Sequence, residues 1–439
     1  MPNAIVVAVD GLRAAALGAY GNAWHPTPSL DELASRSLLM DWMWCPGPDV
    51  LSFYDRCWRH LDCAGHAESL AAVDASRSSH GLHDCQQRPS LAATLGEAAV
   101  ETTCLTDAPE IAELAERAGF AEIYGLDAPA AKPASSWGDT ELARLFSAAV
   151  DRLQPWSRTR GDGDRSPPRL LWLHARGFHG AWDAPVELRQ RLHEEGDPPA
   201  ATFLHPPAAL RTDDQDEALP YRAAYAAQTM VLDECLGGLL AAIDELALAD
   251  HTLVMLVGCR GFALGEHGGV GSGVRDLYSE LLHIPCVMWA PGILPSPQRS
   301  PLLVGAEAVA AALLRWFAVD GAFGEEGPSL FEGGAAPPCR EGSPWLLACG
   351  DGGERAMRTP AWMLRQPPRA ADVGAASVPA PMAELYVKPD DRWEANEVAD
   401  RCPDIVARLL ALLDEGILVD SGGAVRVAEL DADLTTPIR

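Results

Sequence analysis

Ala4-Ile5-Val6-Val7-Ala8-Val9, followed at once by Asp10-Gly11, sets the reading of this chain. The run is of strand length and carries no polar residue toward either face, the pattern of a strand covered on both sides. Three further runs share it, Arg169 to Leu173, Thr252 to Val257 and Ile284 to Trp289, and all four are expected to be parallel strands. From Tyr221 to Leu246 the apolar residues recur instead at helical spacing, interrupted only by Gly237 and Gly238. Strands alternating with helices imply an α/β fold built on a doubly wound, mostly parallel sheet. Ligands of such sheets sit beyond the carboxyl ends of the strands. Two of those ends are chemically distinctive: Asp10-Gly11, and Gly258-Cys259-Arg260-Gly261.

A chain of 439 residues exceeds one ordinary core. From Leu294 the texture turns rich in proline and glycine, and EGGAAPPCREGSP (332–344) reads as a domain boundary. Beyond it, Trp345 to Cys349 and Ala361 to Gln366 look like short strands and Pro403 to Glu415 like a helix. The expected division is an α/β domain over 1–335, a smaller C-terminal α+β domain over 340–420, and a tail over 421–439 that packs weakly or edges the small domain. Pro129 to Ser136, Arg158 to Pro168 and Ala370 to Pro381 read as exposed loops.

Composition narrows the function. A chain 48% hydrophobic and 22% charged forms a packed interior. Its net charge of −28 repels nucleic acid and anionic membranes, so neither is expected as a partner, and it gives a polyanionic substrate no attraction. The partner class left is a small ligand or another protein. No window offers the roughly 20 consecutive apolar residues of a membrane span, and the opening lacks the pattern of a secretory signal. The 11 cysteines are odd in number and include no C-x-x-C pair, which suits reduced thiols in the cytoplasm. Lysine occurs only at Lys132 and Lys388.

Several longer segments, in order, carry a resemblance: IVVAVDGLRAAALGAYGN (5–22), HPTPSLDELASRS (25–37), LLWLHARGFHGAWDAP (170–185), the stretch from Tyr221 to Gly269 that contains VGCRG and GEHGG, LYSELLHIPCVMWAPG (277–292) and ELYVKPDDRWEANEVAD (384–400). Together they resemble the sulfatases of the alkaline-phosphatase superfamily over nearly the whole chain. The resemblance implies that superfamily's fold and, for an active member, hydrolysis of sulfuric esters. It implies a divalent cation, usually calcium, held by an Asp-Asp pair after the first strand and an Asp-Asn or Asp-His pair after a later one. It further implies a formylglycine nucleophile made within C-x-P-x-R, two lysines facing the sulfate, and a histidine that binds substrate or protonates the leaving group.

Residue by residue, this sequence departs from that pattern. The first pair reads Asp10-Gly11 and the later one Cys259-Arg260, where a guanidinium, charged and donor-only, cannot ligate a cation. Cys45 is followed by Pro46-Gly47-Pro48-Asp49, without the modification pattern, which leaves Asp49 or Ser52 for the nucleophile slot. Asp107 and Arg275 stand where the two lysines belong, Arg275 as the one basic residue for binding substrate, and His179 matches the family histidine. Asp10 is a metal ligand or a carboxylate that caps a turn or meets a cation. Cys259 is a soft-metal ligand or a buried thiol, Ser52 a direct nucleophile or a plain serine, and His179 a site residue or a structural one. Glu266, His267 and Asp233 are expected to be structural, and His174 a satisfied buried histidine.

The expected function is a sulfatase-like protein that has lost hydrolysis and keeps a cleft for a ligand or partner, with no cofactor. The alternatives are an active sulfate or phosphate ester hydrolase with a site rebuilt from Asp10, Asp49, His179 and His267, or a purely structural subunit. Since Asp10 and Arg260 follow strands whose ends supply ligands to a single cation in the family, Arg260 is expected to fill the cation's place and pair with Asp10, with Asp49 as a further partner. The alternative leaves Arg260 in solvent.

Overall fold

A computed structural model describes residues 2–59, 89–126, 130–158, 167–294, 297–319, 345–350, 352–368, 382–415 and 430–437. Its strands in chain order are β1 (Asn3–Val9), β2 (Leu38–Trp44), β3 (Glu101–Thr106), β4 (Glu122–Gly125), β5 (Arg169–Ala175), β6 (Leu210–Arg211), β7 (Thr252–Gly258), β8 (Ala263–Leu264), β9 (Gly269–Gly271), β10 (His283–Trp289), β11 (Gln298–Gly305), β12 (Leu346–Cys349), β13 (Arg355–Arg358), β14 (Trp362–Gln366) and β15 (Glu384–Val387). Eight of them form one sheet in the order β11-β2-β10-β7-β1-β5-β3-β4.

The opening strand is central and explains its own composition. Both neighbours of β1 run parallel to it, with Val9 opposite Ala175 of β5 and Gly258 of β7. Ala4, Val6 and Ala8 enter one core and Ile5, Val7 and Val9 the other, so both faces are buried. Each of the valine and isoleucine side chains contributes roughly 1.5–3 kcal/mol of transfer free energy. One core is closed by the helices Leu91–Glu97, Pro109–Arg117 and Glu307–Trp316, the other by Pro28–Ser35, Glu141–Arg158 and Gln215–Glu245. The last of these helices starts six residues before Tyr221, capped by Asp214, and holds Pro220 within it; that proline conceals its beginning in the sequence. The helix is apolar and long enough to cross a membrane, and 67% of its apolar window is buried within the fold.

One expectation is corrected. Ile284 to Trp289 lies in β10, which runs antiparallel to both β7 and β2. Continuous apolarity reports burial of both faces and carries no information on direction, so a buried antiparallel strand reads like its parallel neighbours.

The second sheet, β12-β13-β14-β15, is antiparallel. One face packs on the large domain through Leu346, Ala348, Met363 and Tyr386 against Trp44, Leu277, Leu282 and Leu303. The other buries Leu347, Met357, Leu364 and Leu385 with Leu409 and Leu413 of the helix Pro403–Glu415. The expected boundary between 335 and 340 lies outside the described residues, as do 370–381 and 421–429. Within the tail, Leu434 is buried against that same core and Trp362 Nε1 donates to the Asp433 carbonyl at 2.9 Å. A short third sheet, β6-β9-β8, presents the Gly265–Gly268 turn.

Candidate functional site

The register of β1 fixes the site. Because Val9 faces Gly258, the next residues on the two strands, Asp10 and Cys259, emerge together, and Cys259 N donates to the Val9 carbonyl at 3.0 Å. One residue further, Arg260 turns back over Asp10: Nε donates to Oδ1 at 2.7 Å and Nη2 to Oδ2 at 2.9 Å. This is the bidentate fork of a charge-assisted pair. Both residues are buried, at 3% and 8% exposure. The third guanidinium nitrogen, Nη1, donates to the Pro48 carbonyl at 2.9 Å, and exposed Arg275 reaches the same oxygen at 2.7 Å.

Electrostatics follow from this packing. Burial, the largest influence, pushes the Asp10 carboxyl up, but His179, Arg260 and the hydrogen bonds from Arg260 outweigh it and hold the group at about 2. His179 is pushed down to about 4, chiefly by burial and further by the Arg260 charge, with Asp10 opposing. Its ring lies 5.1 Å from that of Phe262, and Nε2 is buried without a partner. His174 is held at about 4, again first by burial, and its Nδ1 lies 2.7 Å from Tyr54 Oη. Tyr54 Oη accepts from Trp172 Nε1 at 3.2 Å, so its own hydrogen goes to His174.

Asp49 does not meet Arg260. It is the N-cap of the helix Val50–Tyr54, where its carboxylate accepts from Ser52 N at 3.0 Å and Ser52 Oγ at 2.6 Å. The acceptor beside Ser52 is thus a carboxylate three residues earlier on the same turn, placed there by the helix cap. Cys45 donates to the carbonyls of Gly47 and Cys259, both at 3.0 Å, and burial pushes its thiol up to about 12. Burial also pushes the Cys259 thiol well above its usual range, and its sulfur lies 3.8 Å from Tyr54 Oη. A thiol held protonated in this way is a weak nucleophile.

The family model for sulfatases matches residues 86–319, more than half of the chain. The chain belongs to the sulfatase family. Human iduronate 2-sulfatase is 35% identical to it over 71 residues, a match covering 16% of this chain and 12% of that enzyme. Among solved structures, a 2-O GAG sulfatase superposes with a TM-score of 0.67 at 16% identity, covering 99% of this chain and 96% of its own. The phosphonate monoester hydrolase of Agrobacterium radiobacter superposes with a TM-score of 0.64 at 14% identity, covering 98% and 100%. These two likenesses concern the fold.

Within this sulfatase fold the remaining candidates divide sharply. Asp107 follows β3 and accepts from Arg176 N at 2.7 Å; burial, opposed by that bond, raises it to about 6. No lysine reaches the site: Lys132 is exposed on a loop and Lys388 pairs with Glu394 at 2.7 Å. His267 is not gathered with Asp10 and His179 but binds the small domain. Its Nδ1 lies 2.8 Å from Glu280, its Nε2 donates to the Glu394 carbonyl at 3.2 Å, and its ring stacks on Tyr278. His267, Glu280 and Glu394 are the one group among the described residues spaced to hold a metal ion, and there the Lys388 ammonium and Ser279 N already bond to the Glu394 carboxylate.

Glu266 pairs with Arg13, which also donates to the Phe262 carbonyl at 3.2 Å and so ties the loop after β1 to the loop after β7. Asp233 accepts from Ser29 N and Leu30 N at 3.1 and 2.8 Å, capping the helix Pro28–Ser35 from a neighbouring helix. Each of these two acids is spent on positioning backbone.

Proposed function

We propose that this sulfatase-family protein does not hydrolyse sulfuric esters and that the Arg260 guanidinium stands in place of the family's cation. The observation that carries this reading is the two-pronged contact of Arg260 with Asp10, which takes both oxygens of the single carboxylate left from the family's ligand set. A hard divalent cation requires several oxygen donors. Here Gly11 offers none, Cys259 offers a protonated thiol, and Arg260 offers only donors and a positive charge. That donor set does not fit calcium.

The loss extends to charge stabilisation. A transition state gathering negative charge on sulfate oxygens needs cation or donor groups aimed at it. Arg260 is neutralised by Asp10, Asp107 adds a carboxylate where a lysine belongs, and of the two arginines bonded to the Pro48 carbonyl among the described residues Arg275 is the one without a carboxylate partner. The side chains left at the site for a small ligand or a partner's side chain are Arg275, Ser52 and His179. The free thiols of the described cysteines fit a cytoplasmic setting.

One observation favours a second reading, an ester hydrolase with a rebuilt site: Ser52 Oγ donates to the Asp49 carboxylate at 2.6 Å, a hydroxyl with an acceptor for its proton. Purified protein assayed on aryl sulfates, aryl phosphates and phosphonate monoesters, with and without calcium, separates the two. The first reading expects no turnover above background. Turnover abolished by Ser52→Ala or Asp10→Ala establishes the second.

A further inference from the structure

Arg358, on β13, is 1% exposed, and its guanidinium has little to hold it. Nη1 makes a 3.4 Å contact with the Trp362 carbonyl, Nε is buried without any partner, and the group lies 5.2 Å from the ring of Trp42. Three other buried guanidinium groups are better served. Arg260 has Asp10, Arg365 has Glu354, and Arg189 donates to the carbonyls of Ala201, Phe203 and Trp182. A guanidinium has five donors, and burying its charge without a counter-charge is strongly unfavourable.

A second stranded cation lies across the same seam between the two sheets. Arg392 also keeps a buried Nε without a partner, and it packs over Trp393 with no carboxylate bound. Both charges act on His283, which is stacked on Trp42 at 5.0 Å, edge-on to Tyr20 at 5.9 Å, and donates from Nε2 to the Asp41 carbonyl at 2.8 Å. Burial first, then the charges of Arg392, Lys388 and Arg358, hold His283 at about 3 against the pull of the Asp41 carbonyl. Four cations, Arg299, Arg358, Lys388 and Arg392, therefore face three carboxylates, Asp41, Glu394 and Asp391, the last of which accepts from Ala395 N and Asn396 N. Arg299 occupies Asp41 at 3.0 Å through Nε, and Lys388 occupies Glu394 at 2.7 Å. One positive charge is in excess there, in a protein whose net charge is −28, and neither Arg358 nor Arg392 has a carboxylate bound.

We infer that the seam between β2 and the small sheet is a binding site for a small oxyanion, gripped by the guanidinium groups of Arg358 and Arg392. The planar fork of arginine suits the paired oxygens of phosphate or sulfate. Such a ligand, as the free ion or as the end group of a small ester, neutralises the surplus and supplies acceptors to the idle nitrogens. None of its residues belongs to the Asp10–Arg260 constellation, so the inference does not depend on whether that site hydrolyses anything. By bridging β13 and the loop after β15 to the large sheet, the anion also fastens the small domain.

Titration calorimetry and thermal unfolding with inorganic phosphate, sulfate and methyl phosphate, against chloride at matched ionic strength, test this. The wild type is expected to bind phosphate or sulfate saturably and unfold at a higher temperature, while Arg358→Met and Arg392→Gln each weaken that binding at least tenfold. Preference for methyl phosphate over phosphate identifies an ester end group, and the reverse a free ion. Without added anion, Arg358→Met unfolds no lower than the wild type, because it removes an uncompensated charge. If that variant does not fold, half-buried Arg392→Gln decides. No saturable response, an equal response in wild type and variants, or a response lost only in Arg275→Ala overturns the inference.

Discussion

Gly11 lies directly beneath Phe178: a β-carbon at position 11 would come within 2.7 Å of Phe178 Cβ and 3.0 Å of His179 Cδ2, and its φ of +78° is one that side chains other than glycine resist. The position that carries the family's second carboxylate is thus closed by the loop after β5. Gly11→Asp is expected to destabilise the fold by about 2–4 kcal/mol through backbone strain and overpacking, read as a lower urea midpoint. Gly11→Asp with Arg260→Asn is expected to gain no calcium response. A variant unfolding at the wild-type midpoint would show that the loop yields easily.

The pair of Asp10 and Arg260 should behave as one unit. Removing either partner strands a buried charge, so Asp10→Leu and Arg260→Met are each expected to cost about 3–5 kcal/mol. The double variant should cost at least about 1 kcal/mol less than their sum. Strict additivity in denaturant unfolding would mean that the two side chains do not interact.

Acid should expose the same pair. Asp10 is held at about 2, below its unfolded value of 3.8, so its contribution is complete above the unfolded value and is lost as the pH falls through about 2. That contribution is about 2 kcal/mol. His174 and His179, held at about 4 against 6.5, act earlier: the unfolded chain takes up their protons first, and stability declines between those values. Asp10→Leu is expected to flatten the acid limb below pH 4 and leave the limb from 6.5 to 4 in place. Loss of both limbs would refute the assignment.

Asp107 has the opposite sign. Held up to about 6, it disfavours the fold wherever it is ionised, and the fold gains relative stability as the pH falls from 6 toward 3.8. Asp107→Asn keeps an acceptor for Arg176 N and is expected to stabilise the protein by about 1–2 kcal/mol at pH 7. A lower melting temperature at pH 7 would contradict this.

The fold was readable because its strongest signals are local. The apolar runs of β1, β5 and β7 and the helix Pro403–Glu415 stand in the sequence much as they stand in the structure. The strands β2 and β3 did not, since Asp41 and the threonines of β3 break the apolar run and the sheet supplies what the pattern lacks. The direction of β10 was invisible for the reason given above. At the site, the positions of Asp10 and Arg260 followed from strand ends, whereas the turn of Asp49 toward Ser52 depends on which donors a helix N-terminus leaves open. The seam around Arg358 gave no signal at all. Its members come from β2, β10, β13 and the loop after β15, and only the packing of two sheets brings them together.

The central claim, that Arg260 occupies the cation's place, is tested most directly by calcium titration followed by thermal unfolding of the wild-type protein. A ligand that binds only the folded state raises its unfolding temperature, by about 2.7 kcal/mol of stabilisation at a hundredfold excess over the dissociation constant. The account predicts no saturable shift with calcium. A saturable rise that disappears in Asp10→Ala would contradict it.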